Sequence, residues 1–178
     1  MVPATILELS RYRWNLPMIE RLQQAPSVSF VELAEGLAAS RDAIRRSLAC
    51  LTGQAWVLRR REAGPRYLLS KTGLRLAPSC VTLLEAARTQ EVQPLALRRW
   101  TLPVASALGG WELRFAELKV LLPGITARAL VMVLKDMQEG GLVSREVVGG
   151  FPPSAVYRLT GAGARFLPAL ETLSRAKS

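Results

Sequence analysis

The sequence predicts a mainly α chain with small β-hairpins (α+β), organised as two winged helix-turn-helix units in tandem. Three observations predict it: an internal echo at a nearly constant offset, apolar residues at helical spacing in three successive segments of each half, and a pair of strand-like runs around a turn after the third. Trp14-Asn15-Leu16-Pro17 is echoed by Trp100-Thr101-Leu102-Pro103, 86 residues on, and Phe30-Val31-Glu32-Leu33 by Phe115-Ala116-Glu117-Leu118, 85 residues on. Ser40, Ile44, Leu48 and Leu51 stand 86 residues before Thr126, Leu130, Leu134 and Met137, and Trp56-Val57 as far before Leu142-Val143. Tyr67-Leu68-Leu69-Ser70 with Gly73 then matches Tyr157-Arg158-Leu159-Thr160 with Gly163 at an offset of 90. The four extra residues fall around Gly149 to Pro153, and insertions collect in loops. Chance matches between amphipathic helices would not keep this order, so the chain reads as a diverged repeat: residues 1–90 with a trailing helix, and residues 91–178.

Taken in order, Arg11 to Gln24 reads as an apolar-periodic helix, Phe30 to Leu37 as a short one, and Ser40 as the N-cap of a helix from Arg41 to Thr52. Trp56 to Arg61 and Arg66 to Ser70 flank Glu62-Ala63-Gly64-Pro65, a hairpin with a turn signal at its tip. Pro78 is expected to start or bend a segment from Ser79 to Thr89, followed by a linker from Gln90 to Pro94. In the second half the helices are expected over Leu95 to Leu108, Phe115 to Leu121 and Ala127 to Glu139, the last capped by Thr126 and ended by Gly140-Gly141. Strands follow over Leu142 to Val147 and Ala155 to Thr160, then a helix from Ala162 to Arg175, broken or bent near Pro168. Trp14 and Trp100 are expected as core anchors, and Trp56 in a half-buried strand.

Charge narrows the partner. Lys and Arg total 24 against 14 Asp and Glu, a net charge of +10, which favours a polyanion such as nucleic acid. The chain has no His and two Cys, Cys50 and Cys80, without metal-ligand spacing, so no metal, no cofactor and no His-based catalysis are expected. No Gly-Lys-Ser phosphate loop is present either, and an enzyme is not expected. Both thiols, among apolar neighbours, read as buried and reduced, which places the protein in the cytoplasm. The longest uncharged run, Trp100 to Trp111, is too short to span a bilayer, and no membrane association is expected.

The second half carries a recognisable set: Arg99-Trp100-Thr101-Leu102, Arg114-Phe115-Ala116-Glu117-Leu118, Leu122-Pro123-Gly124-Ile125-Thr126, Gly141-Leu142-Val143-Ser144-Arg145, and Pro152-Pro153 followed by Tyr157, Leu159-Thr160 and Gly163. As a set it resembles the HxlR-type branch of the MarR-like winged-helix regulators, over roughly Trp100 to Leu170. The resemblance implies a dimeric transcription regulator whose third helix enters the major groove and whose wing touches the flanking backbone. Three positions depart from it. Residues 81–99 lack the cysteine often found ahead of the Trp, Ser154 stands where the wing commonly carries Arg, and the third helix reads Ala127-Arg128-Ala129-Leu130-Val131-Met132, apolar where polar readers are usual.

The first half shows the reverse. Its third helix begins Ser40-Arg41-Asp42-Ala43-Ile44-Arg45-Arg46, and its hairpin carries Arg59, Arg60, Arg61 and Arg66. Arg at these positions can reach guanine edges or phosphates. The plain alternative is a solvated helix face with Asp42 paired to Arg45 or Arg46. In the strand Arg59 to Arg61 alternate sides, so only part of that run can face one ligand. Thr126, Arg128, Lys135 and Arg145 form a second, sparser set. The expected function is double-stranded DNA binding by a transcription regulator, as a monomeric pseudo-dimer or a homodimer. The alternatives are a DNA-binding protein without sequence preference in genome maintenance, and a protein-interaction scaffold using Val131, Met132 and Phe151-Pro152-Pro153.

Overall fold

The computed structural model describes residues 1–61, 64–149 and 154–175, so the two expected hairpin tips, Glu62-Ala63 and Phe151-Pro152-Pro153, lie outside the described residues. The first half runs α1 (Ala4–Leu9), α2 (Asn15–Gln23), β1 (Val28–Ser29), α3 (Phe30–Gly36), α4 (Arg41–Gly53), β2 (Val57–Arg60), β3 (Arg66–Leu69) and α5 (Lys71–Thr89). The second runs α6 (Gln93–Ala96), α7 (Thr101–Leu108), β4 (Leu113–Arg114), α8 (Phe115–Leu121), α9 (Ala127–Glu139), β5 (Val143–Val148), β6 (Ser154–Leu159), α10 (Gly161–Ala164) and α11 (Leu167–Arg175). Each half closes a three-stranded antiparallel sheet in the same order, β1-β3-β2 and β4-β6-β5. The registers correspond as well: Val28 pairs with Tyr67 as Leu113 does with Tyr157, and Val57 with Leu69 as Val143 does with Leu159.

Local chemistry sets the boundaries of α3 and α4 in the first half and of α8 and α9 in the second alike. The side chains of Ser40 and Thr126 accept the backbone N–H of Ala43 and Ala129 at 3.2 and 3.1 Å, capping α4 and α9. Glu32 and Glu117 each reach back 2.6 Å to the N–H of the residue before α3 and α8, Ser29 and Arg114. At the C-terminal ends Trp56 N–H donates to Leu51 O and Leu142 N–H to Met137 O, with Ala55 and Gly141 in the left-handed region at φ 55° and 69°. This is a Schellman ending, made by glycine in one half and by an alanine bearing a Cβ penalty in the other.

The hairpin and the closing helix meet at one close approach. Ser70 N–H donates to Trp56 O and Thr160 N–H to Leu142 O, while the Ser70 and Thr160 hydroxyls accept from Gly73 and Gly163. A Cβ on Gly73 would stand 2.1 Å from Trp56 O, and one on Gly163 2.1 Å from Leu142 O. Both positions require glycine because a backbone carbonyl fills the space of a side chain.

Buried side chains form one continuous core through both halves. Its seam is α5 against α11, the closing helices of the two halves. The short leading helices reach across it in matching fashion, α1 onto α11 and α6 onto α5. The N–H of Val2 further donates to Leu121 O of the second half.

Several expectations are corrected. The helix expected from Arg11 starts at Asn15, and that expected over Leu95 to Leu108 is two, α6 and α7, because Pro94 opens a short turn inside the presumed linker. Pro78 does not start the helix over Ser79 to Thr89, which instead begins at Lys71 as α5 and runs through the proline. Burial of Leu76, Ala77, Cys80, Leu83, Leu84 and Ala87 holds that helix against a local cost of about 3 kcal/mol. The break near Pro168 is present, between α10 and α11. Trp56 is the fully buried tryptophan, whereas Trp14 and Trp100 are half-buried, with the guanidiniums of Arg13 and Arg99 at 5.5 and 5.0 Å from their rings. Cys80 is buried, but Cys50 is only half-buried.

Three substitutions test this local account by urea denaturation. Gly73→Ala or Gly163→Ala lowers stability by roughly 1–3 kcal/mol through overpacking against a carbonyl. Ala55→Gly raises it by about 1 kcal/mol by relieving the left-handed alanine.

Candidate nucleic-acid interface

In α4 the sequence places Ile44, Ser47, Leu48 and Leu51 inward, which leaves Arg41, Asp42, Arg45 and Arg46 on the exposed face. Asp42 holds Arg45 at 3.3 Å and Arg46 at 3.5 Å. Such exposed pairs at helical spacing contribute only a few tenths of a kcal/mol, so a phosphate competes readily for either guanidinium. Arg41 makes no ion pair among the described residues.

Between α4 and the hairpin lies a groove of about 540 Å³. Arg41 and Arg45 of α4 and Arg59 of β2 line it, over Phe30, Leu48 and Tyr67. Two arginines of α4 and one of β2 thus share one groove, with Phe30 and Tyr67 also in its lining. Arg60 and Arg61 are exposed outside it: alternation along β2 turns Arg60 to the side opposite Arg59, and Arg61 follows the end of the strand.

Arg66 is engaged within its own half. Its Nε donates to Ser27 Oγ at 2.9 Å and its Nη2 to the Ser27 carbonyl at 3.0 Å, and it stands 3.5 Å from Glu32. It therefore ties the edge of the sheet to the cap of α3. The Glu32 carboxyl is held below its ordinary range, first by the Ser29 N–H it accepts and in smaller part by Arg66.

In α9 the same inward set, Leu130, Val133, Leu134 and Met137, turns Arg128, Val131, Met132 and Lys135 outward. Thr126 is spent on the cap, and Lys135 pairs with Glu139 at 3.7 Å. Arg128 and Arg145 are exposed and make no ion pair among the described residues. At the helix positions matching Arg45 and Arg46 stand Val131 and Met132, each 56% exposed.

Two features were missed in the sequence. At the junction of the halves, Arg13-Trp14 and Arg99-Trp100 line two corresponding clefts of about 360 and 180 Å³. The larger also takes in Pro17, Leu37, Pro94 and Leu97, the smaller Leu7, Glu8, Arg11 and Pro123. The recurrence of Arg-Trp at an offset of 86 was the available signal. The second is the environment of Cys50. Burial, then Glu8, pushes that thiol up, while Asn15 Nδ2 donates to its Sγ at 3.5 Å. Burial alone carries Cys80 up to about 12. Among the described residues no cluster of three His, Cys, Asp or Glu could hold a metal ion, and no helix is long and apolar enough to cross a membrane.

Residues 95–177 match the family model of the HxlR-like helix-turn-helix. An uncharacterized HTH-type transcriptional regulator of Methanothermobacter thermautotrophicus is 36% identical over 42% of this chain and 57% of its own length. The uncharacterized HTH-type transcriptional regulator YkvN of Bacillus subtilis is 37% identical over 34% of this chain and 51% of its own. The chain thus spans between half and two thirds of the length of these relatives. A solved chain assigned to the MarR family of transcriptional regulators, from Porphyromonas gingivalis W83, aligns over 49% of this chain and 85% of its own at 26% identity, with a TM-score of 0.45.

The differing roles of the arginines predict a split. Arg66→Ala costs about 1 kcal/mol of stability through its lost hydrogen bonds, whereas Arg41→Ala leaves the thermal midpoint unchanged. Thermal unfolding of both variants beside the parent checks it.

Proposed function

We propose that this chain, whose residues 95–177 match the HxlR-like helix-turn-helix, is a transcription regulator that binds double-stranded DNA. The observation that carries the proposal is the groove in which Arg41 and Arg45 of α4 meet Arg59 of the hairpin. A helix N-terminus, two guanidiniums on its exposed face and a third on the adjacent strand suit a helix in the major groove with a wing along the backbone. Arg60, Arg61, Arg128, Lys135 and Arg145 extend the positive surface, and Ser40 and Thr126 act as caps that fix the two helices.

In this proposal residues 1–90 and 91–178 are two winged-helix domains of common origin, and one chain does the work of a dimer. The matching element order, the matching registers and the packing of α5 on α11 support it, because contact between equivalent elements is how a twofold dimer interface is built. The DNA-facing helices α4 and α9 then stand in equivalent places about that seam.

Fluorescence anisotropy on random duplex and single-stranded DNA across a salt series tests the function. Duplex binding is expected to weaken with salt at a slope of about 0.9 per phosphate neutralised. The triple variant Arg41→Ala, Arg45→Ala, Arg59→Ala is expected to lower that slope by two to three phosphates while keeping the parent's thermal midpoint. Absence of duplex binding at low salt, or a variant equal to the parent, contradicts the assignment.

A further inference from the structure

The two groove-directed helices match in length, cap and buried set, and differ in what they present. Both span thirteen residues, both are capped through a hydroxyl on the third residue's N–H, and both bury the same four positions. That identity of frame fixes the comparison: Val131 and Met132 replace Arg45 and Arg46 on the exposed face, and Arg128 replaces Asp42. One helix presents guanidiniums where the other presents two apolar side chains beside Arg128, which makes no ion pair among the described residues. An exposed valine and methionine one turn into a helix are unfavourable in water. Cations border them, Arg128 on the preceding turn and Lys135 on the next. The pair is too small for a protein interface, which buries about 800 Å² on each partner. It does fit one apolar feature of a polyanion: the 5-methyl of thymine, the apolar group exposed at the edge of the major groove. Arginine suits guanine O6 and N7 in the same groove.

Resting on the DNA-binding reading above, we infer that the chain recognises an asymmetric site: one half-site carrying guanine, read by Arg45 and Arg46 of α4, and one carrying thymine, read through its methyl groups by Val131 and Met132 of α9. A symmetric dimer must read two copies of one half-site. This chain, with unlike helices in corresponding frames, reads two different ones. Arg128 and Lys135 contribute phosphate contacts around the second.

The test is selection of bound duplexes from a random pool with the full chain, followed by uracil-for-thymine replacement in the enriched site, which deletes only the methyl. Two unlike half-sites are expected. Replacement in the thymine half-site weakens binding about fourfold for each methyl contacted. In the variant Val131→Ala, Met132→Ala, whose changes lie on an exposed face, uracil and thymine duplexes bind equally. In Arg45→Ala, Arg46→Ala the guanine preference is lost and the uracil effect persists. Two like half-sites, no effect of uracil, or an unchanged effect in the Val131/Met132 variant overturns the inference. Duplex binding without any enriched sequence overturns it while leaving the DNA-binding reading standing, and loss of both would show as absence of duplex binding altogether.

Discussion

The architecture depends on the approach of two glycines to two carbonyls. Gly73 against Trp56 O and Gly163 against Leu142 O bring the start of each closing helix onto the start of its hairpin, closer than any side chain permits. The residue three before each glycine completes the joint, its N–H bonded to that carbonyl and its hydroxyl to the glycine N–H. Strand, cap and helix are thereby locked at one point: in the first half this fixes the direction in which α5 leaves the sheet, and in the second it fixes α10, after which the chain breaks and continues as α11. The seam between the halves is then made by α5 and α11.

From the seam outward, the halves keep one frame and differ in the side chains they expose. The frame is kept wherever backbone hydrogen bonds or close packing demand particular residues: the hydroxyl caps, the glutamates reaching back at α3 and α8, the glycines under the hairpins. The exposed face of the third helix carries no such demand, and there the halves diverge, to arginine in α4 and to valine and methionine in α9. Charge follows the same division. Arg66 and Glu32 serve the sheet edge, whereas Arg41, Arg45 and Arg59 are left to the groove.

Much of this was legible in the sequence, for a physical reason. The correspondence between the halves is legible through residues with narrow roles, such as Ser40 and Thr126 at caps or Gly73 and Gly163 at the close approach, because a hydroxyl or a missing Cβ is required there. The bounds of α8 and α9 were read correctly because apolar spacing, cap and glycine stop agreed. Legibility failed where packing overrode local preference. Pro78 signals a helix boundary by itself, yet sits inside α5 because the helix is buried on either side of it. The short strands at Val28 and Leu113 are two residues each and have no pattern to read. Trp14 and Trp100 read as core residues by size, but each is half-buried with an arginine beside its ring. In the candidate site the individual arginines and the pairing of Asp42 with Arg45 and Arg46 are legible in the sequence, but Ser27 holding Arg66 is not, since that contact spans 39 residues.

The central claim, that one chain supplies both halves of a dimer-like DNA reader, is tested most directly by sedimentation of the protein free and on a saturating duplex. The account predicts a free mass near the 19.5 kDa of a single chain and one chain for each bound site. A stable dimer in solution, or two chains on every site, would contradict it.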